Sequence, residues 1–418
     1  MIDTAVLRTS PDALAASLAR RGIDLDVAAL ATLDDERRAM RTAAEEVRSK
    51  QKQIGKTVSG LQGAAKDDAI AEASALAEEY RTKLVAADEL DERFMAQWVN
   101  LPNLTDETAA DGMTDEDAVE ISTSGPPPEF GFEPQDHVDL GVALGVLDLE
   151  RAAKVSGSRF GYIKGKLALL EFGLVRWAMD MLGPHGFEPV VPPVLVREHA
   201  LFGTGFFPGD AEQVYAIPED DLYLTGTSEV ALAAMHGDEI FEGSQLPVRY
   251  AGFSPCFRRE AGTYGRDTRG VFRVHQFDKV EMFSFVHPDD SQQEHEFLLA
   301  REEELVTALD LPYRVVNVAA GDLGASAAKK YDIEAWFPGQ GRYREITSTS
   351  NTTDFQARRL KIRFRDEGGK NRLVHTLNGT AVAVGRTMIA IMENSQTVEG
   401  TVRIPEVLVP YVGFEQID

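Results

Sequence analysis

The most constraining feature of the sequence is a pair of seven-residue seams within its first hundred residues. One runs Leu30, Leu33, Arg37, Met40, Ala44, Val47, Gln51, Ile54, Val58 and Leu61, in alternating steps of three and four. The other runs Ile70, Ala73, Ala77, Tyr80, Leu84, Ala87, Asp91, Phe94, Trp98 and Leu101. Between them SGLQGAAKDD (59–68) interrupts the pattern with glycines and polar residues, which lets the chain reverse. Two helices with the same 3.5-residue period bury their seams best against each other, so an antiparallel coiled coil is expected. At about 1.5 Å per residue, some 30 residues reach roughly 45 Å. Such an arm can reach a distant partner, but it cannot enclose a deep catalytic pocket. A dimerisation coil or a spacer would show the same seams.

Charge separates this arm from the rest of the chain. The 418 residues carry 43 Lys+Arg against 68 Asp+Glu, a net of −25, which argues against a protein that coats DNA or RNA. The first hundred residues hold 14 basic and 18 acidic groups, so most of the excess lies beyond them. Arg37, Arg38, Arg41, Arg48, Lys50, Lys52 and Lys56 give the first helix a basic stretch, either a solvated face or a phosphate-tracking one. Residues 101–136 contain ten acidic residues, no basic one and the run GPPPEF, and are expected to form an exposed linker. The single cysteine, Cys256, excludes a disulfide framework, and the eight histidines are scattered, so no zinc site is expected. There is no signal-peptide pattern and no apolar run of membrane-spanning length, so a cytoplasmic protein with no membrane partner is expected.

The remainder reads as α+β. A short strand leads into an apolar helix from about Leu167 to Leu182, and GFEPVVPPVLV (186–196) suits an edge strand. Strand-like runs follow at 246–260, 270–286, 313–321, 330–339 and 343–353, with helical stretches at 295–309, 354–359 and 381–394. Neighbouring strands at hairpin spacing predict an antiparallel sheet flanked by helices.

Neither GxxxxGK[ST], nor GxGxxG after a strand, nor GxSxG occurs. The densest constellation is FRREAGTYGRDTRGVFRVHQFDKVEMF (257–283). A period of two places Arg258 and Glu260 on one side of a first strand, and Arg273, Phe277 and Glu281 on one face of a second. A guanidinium fork suits phosphate oxygens, an aromatic ring suits a stacked base, and Glu281 offers an acceptor for an ammonium or hydroxyl. An ordinary salt-bridged hairpin is the plainer alternative, to which Arg259, Arg266, Arg269 and Arg273 give an unusual density of cations.

This run resembles motif 2 of the class II aminoacyl-tRNA synthetases, and GRDTRG followed by HQFDKVEMF is similar to the seryl-tRNA synthetases in particular. The resemblance covers the whole chain. GFEPVVPPVLV resembles motif 1 with Pro193 as its proline, and HTLNGTAVAVGRTMIAIMEN resembles motif 3 with Arg386 as its arginine. TGTSE and REITSTSN are similar to that family's serine-site and metal-site elements, and the opening residues and long arm match as well. Six elements in order make this resemblance specific. Its departures are small: Arg259 fills a variable position, and Thr347 and Thr380 stand where serine is also common.

The resemblance implies a division into a tRNA-binding domain with its coiled arm (1–104), a linker (105–136) and a class II catalytic domain (137–418). It implies ATP, L-serine and Mg²⁺ as ligands, with catalytic roles for Arg258, Arg386 and Glu345. Thr227, Ser228, Glu229, Arg258, Glu281, Asn378 and Thr380 would bind serine. Arg258, Arg259, Glu260, Arg273, Val274, Phe277, Glu345, Ile346, Thr347, Ser348 and Arg386 would bind ATP. Glu345 and Ser348 would hold Mg²⁺, a hard cation that favours oxygen donors. The partner it implies is tRNA(Ser), with tRNA(Sec) as a second candidate acceptor, gripped through the arm by Arg37, Arg38, Arg41, Arg48 and Lys52. A homodimer through motif 1 is implied as well.

Overall fold

The computed structural model describes residues 1–262, 267 and 269–418, so Arg266 lies outside the described residues. Two compact units divide it: Ile2–Ala19 with Ile23–Leu101, and Arg20–Gly22 with Pro102–Asp418 and Met1.

The first unit is built on α1 (Val27–Val58) and α2 (Ala64–Trp98). The Asp26 carboxylate starts α1 by accepting the Ala29 N–H at 2.8 Å. Leu30, Leu33, Ala44 and Val47 on α1 and Ala87, Phe94 and Trp98 on α2 are buried, as the seams predict. The other seam positions within these helices are half-buried, except Ile70, which is 48% exposed. Arg37 occupies its seam position by laying its guanidinium 4.2 Å from the Phe94 ring centre and pairing with both Asp34 and Asp91. The aliphatic stem is thereby covered while the charge is met on both helices.

The second unit centres on an eight-stranded sheet: β1 (Val119–Ser124), β2 (Phe187–Val190), β3 (Val248–Phe257), β4 (Gln276–Val286), β5 (Tyr313–Asn317), β6 (Lys329–Phe337), β7 (Arg342–Asn351) and β8 (His375–Ala383). Their order is β1-β5-β6-β7-β8-β4-β3-β2, antiparallel throughout except for the edge strand β2, which runs parallel to β3. Helices α3 (Gly165–Leu182), α5 (Ser291–Ala308) and α7 (Val384–Asn394) join its core, while α4 (Glu229–Ala234) and α6 (Phe355–Leu360) are shorter. Leu170, Trp177, Leu298, Leu305, Met388 and Ile391 on the longer helices pack with Val280, Met282, Ile333, Ile346 and Leu377 of the sheet. Each such side chain contributes roughly 1.5–3 kcal/mol through burial. Alternation along β4 then assigns Lys279 and Glu281 to the face opposite Val280 and Met282.

Three expectations need correction. The acidic segment 101–136 is more than a linker, because β1 pairs with β5 as an edge strand while its side chains stay largely exposed. Strand β3 ends at Phe257 and β4 begins at Gln276, so Arg258, Glu260 and Arg273 are not on strands and share no face by alternation. Glu260 instead takes a left-handed φ of 50° that turns the chain. Residues 375–383 form the central strand β8, so the helix expected from Ala381 starts at Val384.

Candidate active site

A cavity of about 370 Å³ opens in the second unit, lined by β4, β6, β7, β8, the segment before β4 and the start of α7. Thirteen expected site residues line it: Glu229, Arg258, Glu260, Arg273, Val274, Phe277, Glu345, Ile346, Thr347, Ser348, Asn378, Thr380 and Arg386.

Two bulges arrange these side chains. In the β6–β7 ladder Ile333 pairs with Thr347 and Glu334 with Glu345, leaving Ile346 as an extra residue. Glu345 and Ser348 are three apart, which puts residues on opposite faces of a regular strand; the inserted residue restores them to one face. Ile346 enters the core, and the Thr347 hydroxyl donates to Glu302 Oε2 at 2.7 Å. A second bulge leaves Ala381 extra on β8, with Glu281 opposite Thr380 and Lys279 opposite Ala383. Between Asn378 and Thr380, a Cβ on Gly379 would stand 2.8 Å from Glu302 Oε1, so any larger residue there has to displace the Glu302 carboxyl.

At one end of the cavity, Arg386 donates to the carbonyl oxygen and Oε2 of Glu345, at 3.0 and 3.1 Å. The guanidinium carbons of Arg344 and Arg386 lie 4.0 and 4.7 Å from the centre of the Phe272 ring. Burial raises the Glu345 pKa, but Lys330, Arg386 and Arg258 outweigh it and hold the carboxyl well below the usual range. Arg258 donates to the Gly226 carbonyl at 3.2 Å, and its guanidinium lies 5.3 Å from the centre of the Phe277 ring. Arg273 is held by Glu260 at 2.7 Å and by Asp267 at 3.5 Å.

The other end is an enclosed polar network. Glu229 Oε1 accepts from Gln356 and Asn378 at 2.7 and 3.0 Å. Burial first, and the nearby Glu281 carboxylate second, push the Glu229 carboxyl up to about 7. Glu281, 1% exposed, accepts from the Thr227 hydroxyl at 3.0 Å and is ion-paired with Lys279. Burial also raises Glu302 well above its ordinary value.

Four expected residues lie outside this lining. Thr227 and Glu281 are buried, Ser228 donates to the Gly252 carbonyl at 3.3 Å, and the Arg259 guanidinium lies 5.8 Å from the centre of the Tyr215 ring. Sequence reasoning missed Lys279, Lys330 and Phe272, all of which line the cavity. Lys279 was within reach, since it precedes Glu281 by two residues on the same strand. In the arm, Arg37 and Arg41 are engaged with Asp91, and Arg41 also with Asp88. Arg48 donates to the Tyr80 hydroxyl at 3.0 Å, whereas Arg38 and Lys52 are exposed.

An antiparallel sheet carrying arginines from a motif 2-like segment and a motif 3-like helix defines a class II aminoacyl-tRNA synthetase core. The tRNA synthetase class II core domain model (G, H, P, S and T) matches residues 214–395, and the seryl-tRNA synthetase N-terminal domain model matches residues 1–105. The chain belongs to the seryl-tRNA synthetase family. It is 50% identical to the serine–tRNA ligase of Thermobifida fusca over 99% of this chain and 98% of the relative. It is 51% identical to that of Streptomyces coelicolor over 100% of this chain and 99% of the relative. Among solved structures, the seryl-tRNA synthetase of Pyrococcus horikoshii complexed with ATP superposes with a TM-score of 0.94 at 41% identity, covering 100% of this chain and 99% of that one. The cytoplasmic serine–tRNA ligase of Naegleria fowleri in complex with AMP gives 0.88 at 32%, covering 98% and 96%.

Proposed function

We propose that the chain is a serine–tRNA ligase, which activates L-serine with ATP and transfers the seryl group to tRNA(Ser). The observation that carries this reading is the division of one cavity. Phe277, Glu345 and Arg386 gather at one end, Glu229, Asn378 and Thr380 lie with the Lys279–Glu281 pair at the other, and Arg258 acts on a carboxylate of each, Glu345 and Glu229. In the first step the serine carboxylate attacks the α-phosphorus of ATP, giving seryl-adenylate and pyrophosphate. In the second the 3′-terminal adenosine hydroxyl of the tRNA takes the seryl group and AMP leaves. A carboxylate is already a nucleophile near neutral pH, so the protein's part is positioning and charge neutralisation.

Arg258 meets the serine carboxylate and the α-phosphate, Phe277 stacks on adenine with Arg273 and Val274 nearby, and Arg386 meets the terminal phosphate. Glu229, Glu281, Thr227, Asn378 and Thr380 recognise serine. The Glu345 carboxylate and Ser348 hydroxyl, brought to one face by the bulge, are hard oxygen donors that fit Mg²⁺. That ion, when bound, would neutralise phosphate charge. We assign tRNA binding to the arm (within residues 1–104), recognising shape and backbone through its exposed cations. The exposed apolar residues Leu169 and Phe172 on α3, with Val191 and Leu195 beyond β2, support a homodimer through the motif 1-like region. No helix among the described residues is long and apolar enough to cross a membrane, and we place the enzyme in the cytoplasm with the rest of translation. Serine-dependent ATP–pyrophosphate exchange, followed by charging of tRNA(Ser), tests the reading. A chain that performs neither step overturns it.

A further inference from the structure

Lys279 is the only cation among the described residues that both lines the amino-acid end of the cavity and pairs with a carboxylate beneath it. It is 6% exposed, sits two residues before Glu281 on β4, and therefore shares its face. Around this pair stand Glu229 from α4, held by Gln356 and Asn378, the buried thiol of Cys256 on β3, and the buried Glu302 carboxyl of α5 behind Gly379. Thr227 completes the set by donating to the same Glu281 oxygen that meets Lys279.

Count the charges that a zwitterionic amino acid would meet at this end. Once Glu229 has given up the proton that burial and Glu281 favour, the two carboxylates of Glu229 and Glu281 face one another across Lys279, which offsets one of their charges. The remaining charge matches one ligand ammonium, while Arg258 stands ready for the ligand carboxylate. Without Lys279 one ammonium would face two carboxylates buried close together, and Glu229, already pushed up by burial and Glu281, would hold its proton more tightly.

Building on the proposed ligase function, we infer that Lys279 is a positioning and specificity residue of the amino-acid pocket. It orients the Glu281 carboxylate through their ion pair, and it sets the pocket's net charge to suit a single ammonium. Its contribution falls on serine recognition rather than on ATP.

The test compares full-length wild type, Lys279→Gln and Lys279→Arg in ATP–pyrophosphate exchange across pH 5.5 to 9, roughly the range in which a perturbed carboxyl titrates. Gln keeps a donor toward Glu281 but removes the charge, and Arg keeps both. Lys279→Gln is expected to raise the serine KM at least about tenfold while the ATP KM stays within about twofold. Lys279 is among the cations that hold the Glu229 carboxyl down against burial and Glu281, so without it the acid limb of the serine kcat/KM profile should move to higher pH. Lys279→Arg should restore both. The inference is overturned if Lys279→Gln keeps the wild-type serine KM and acid limb, if both substrate KM values rise together, or if Lys279→Arg is as impaired as Lys279→Gln. A Lys279→Gln chain that does not fold leaves the Arg comparison with wild type to decide, on the same KM and pH readouts. Absence of serine-dependent exchange in the wild type would instead overturn the ligase reading itself.

Discussion

One guanidinium nitrogen of Arg386 donates to both the carbonyl oxygen and Oε2 of Glu345, at 3.0 and 3.1 Å. The arginine of α7 is thereby fixed against the strand that carries the proposed metal ligands, with Phe272 supporting its flat face at 4.7 Å. Replacing Arg386 with Ala should lower the exchange kcat by about 10²–10³ through lost charge stabilisation. Arg386→Lys should recover little, because an ammonium neither stacks on Phe272 nor presents a planar fork. Full activity in Arg386→Lys would show that only charge is needed.

The Glu345 carboxyl, held below its ordinary range by Lys330, Arg386 and Arg258 against the opposing effect of burial, stays ionised at all working pH values. Glu345→Gln removes a hard anionic donor. It should raise the Mg²⁺ concentration for half-maximal exchange by about tenfold or more. An unchanged Mg²⁺ titration contradicts the assignment.

Glu229 provides a pH signature. Its carboxyl is pushed up to about 7 by burial and then by Glu281, above its unfolded value. The stability linked to its proton is therefore present below that unfolded value and is lost as pH rises through about 7. Relative to Glu229→Gln, wild type should lose on the order of 3 kcal/mol of unfolding free energy between about pH 4.5 and pH 8. Urea unfolding at both pH values measures it. Serine binding, which needs the anion, should release a proton below about pH 7; calorimetry in buffers of different ionisation enthalpy detects this release, and its absence would contradict the proposed role.

Glu281→Ala removes the acceptor of the Thr227 hydroxyl and strands Lys279. It should abolish serine activation far more than it weakens ATP binding, measured separately by exchange and nucleotide titration. A site that bonds a hydroxyl can reject an analogue lacking it by roughly 10⁴. Near-normal serine exchange in this variant would remove Glu281 from the serine site.

In the arm, the pairings divide the cations. Arg37 is committed to Asp34, Asp91 and Phe94, so Arg37→Ala should lower the arm's thermal stability. Lys52→Ala, at an exposed site, should instead lower the salt slope of tRNA binding by up to about one. Replacing Leu33–Phe94 by a short turn should spare adenylate formation and eliminate charging. Persistent charging would make the arm a spacer.

The arm was legible almost residue by residue, because a 3.5-residue period reports directly which side chains a partner helix covers. Ile70 escapes that rule as an exposed seam position near the turn. In the body, the chemistry-bearing residue types were legible but their faces were not. Alternation would put Glu345 with Thr347; the extra Ile346 puts it with Ser348 instead, and a bulge has no local signature in this stretch. Strand β8 was hidden because Asn378 and Gly379, at the cavity and at the close approach of Glu302, are poor strand formers. The ten acids of 101–136 correctly indicated exposure and concealed an edge strand, since an edge can carry charge on both faces.

The most direct measurement is ATP–pyrophosphate exchange by the full chain with each of the twenty amino acids, followed by charging of purified tRNA(Ser) with the amino acid that responds. Exchange with serine alone, and transfer of serine to that tRNA, is the predicted result. Exchange with a different amino acid, or serine exchange without transfer to tRNA(Ser), would contradict the account.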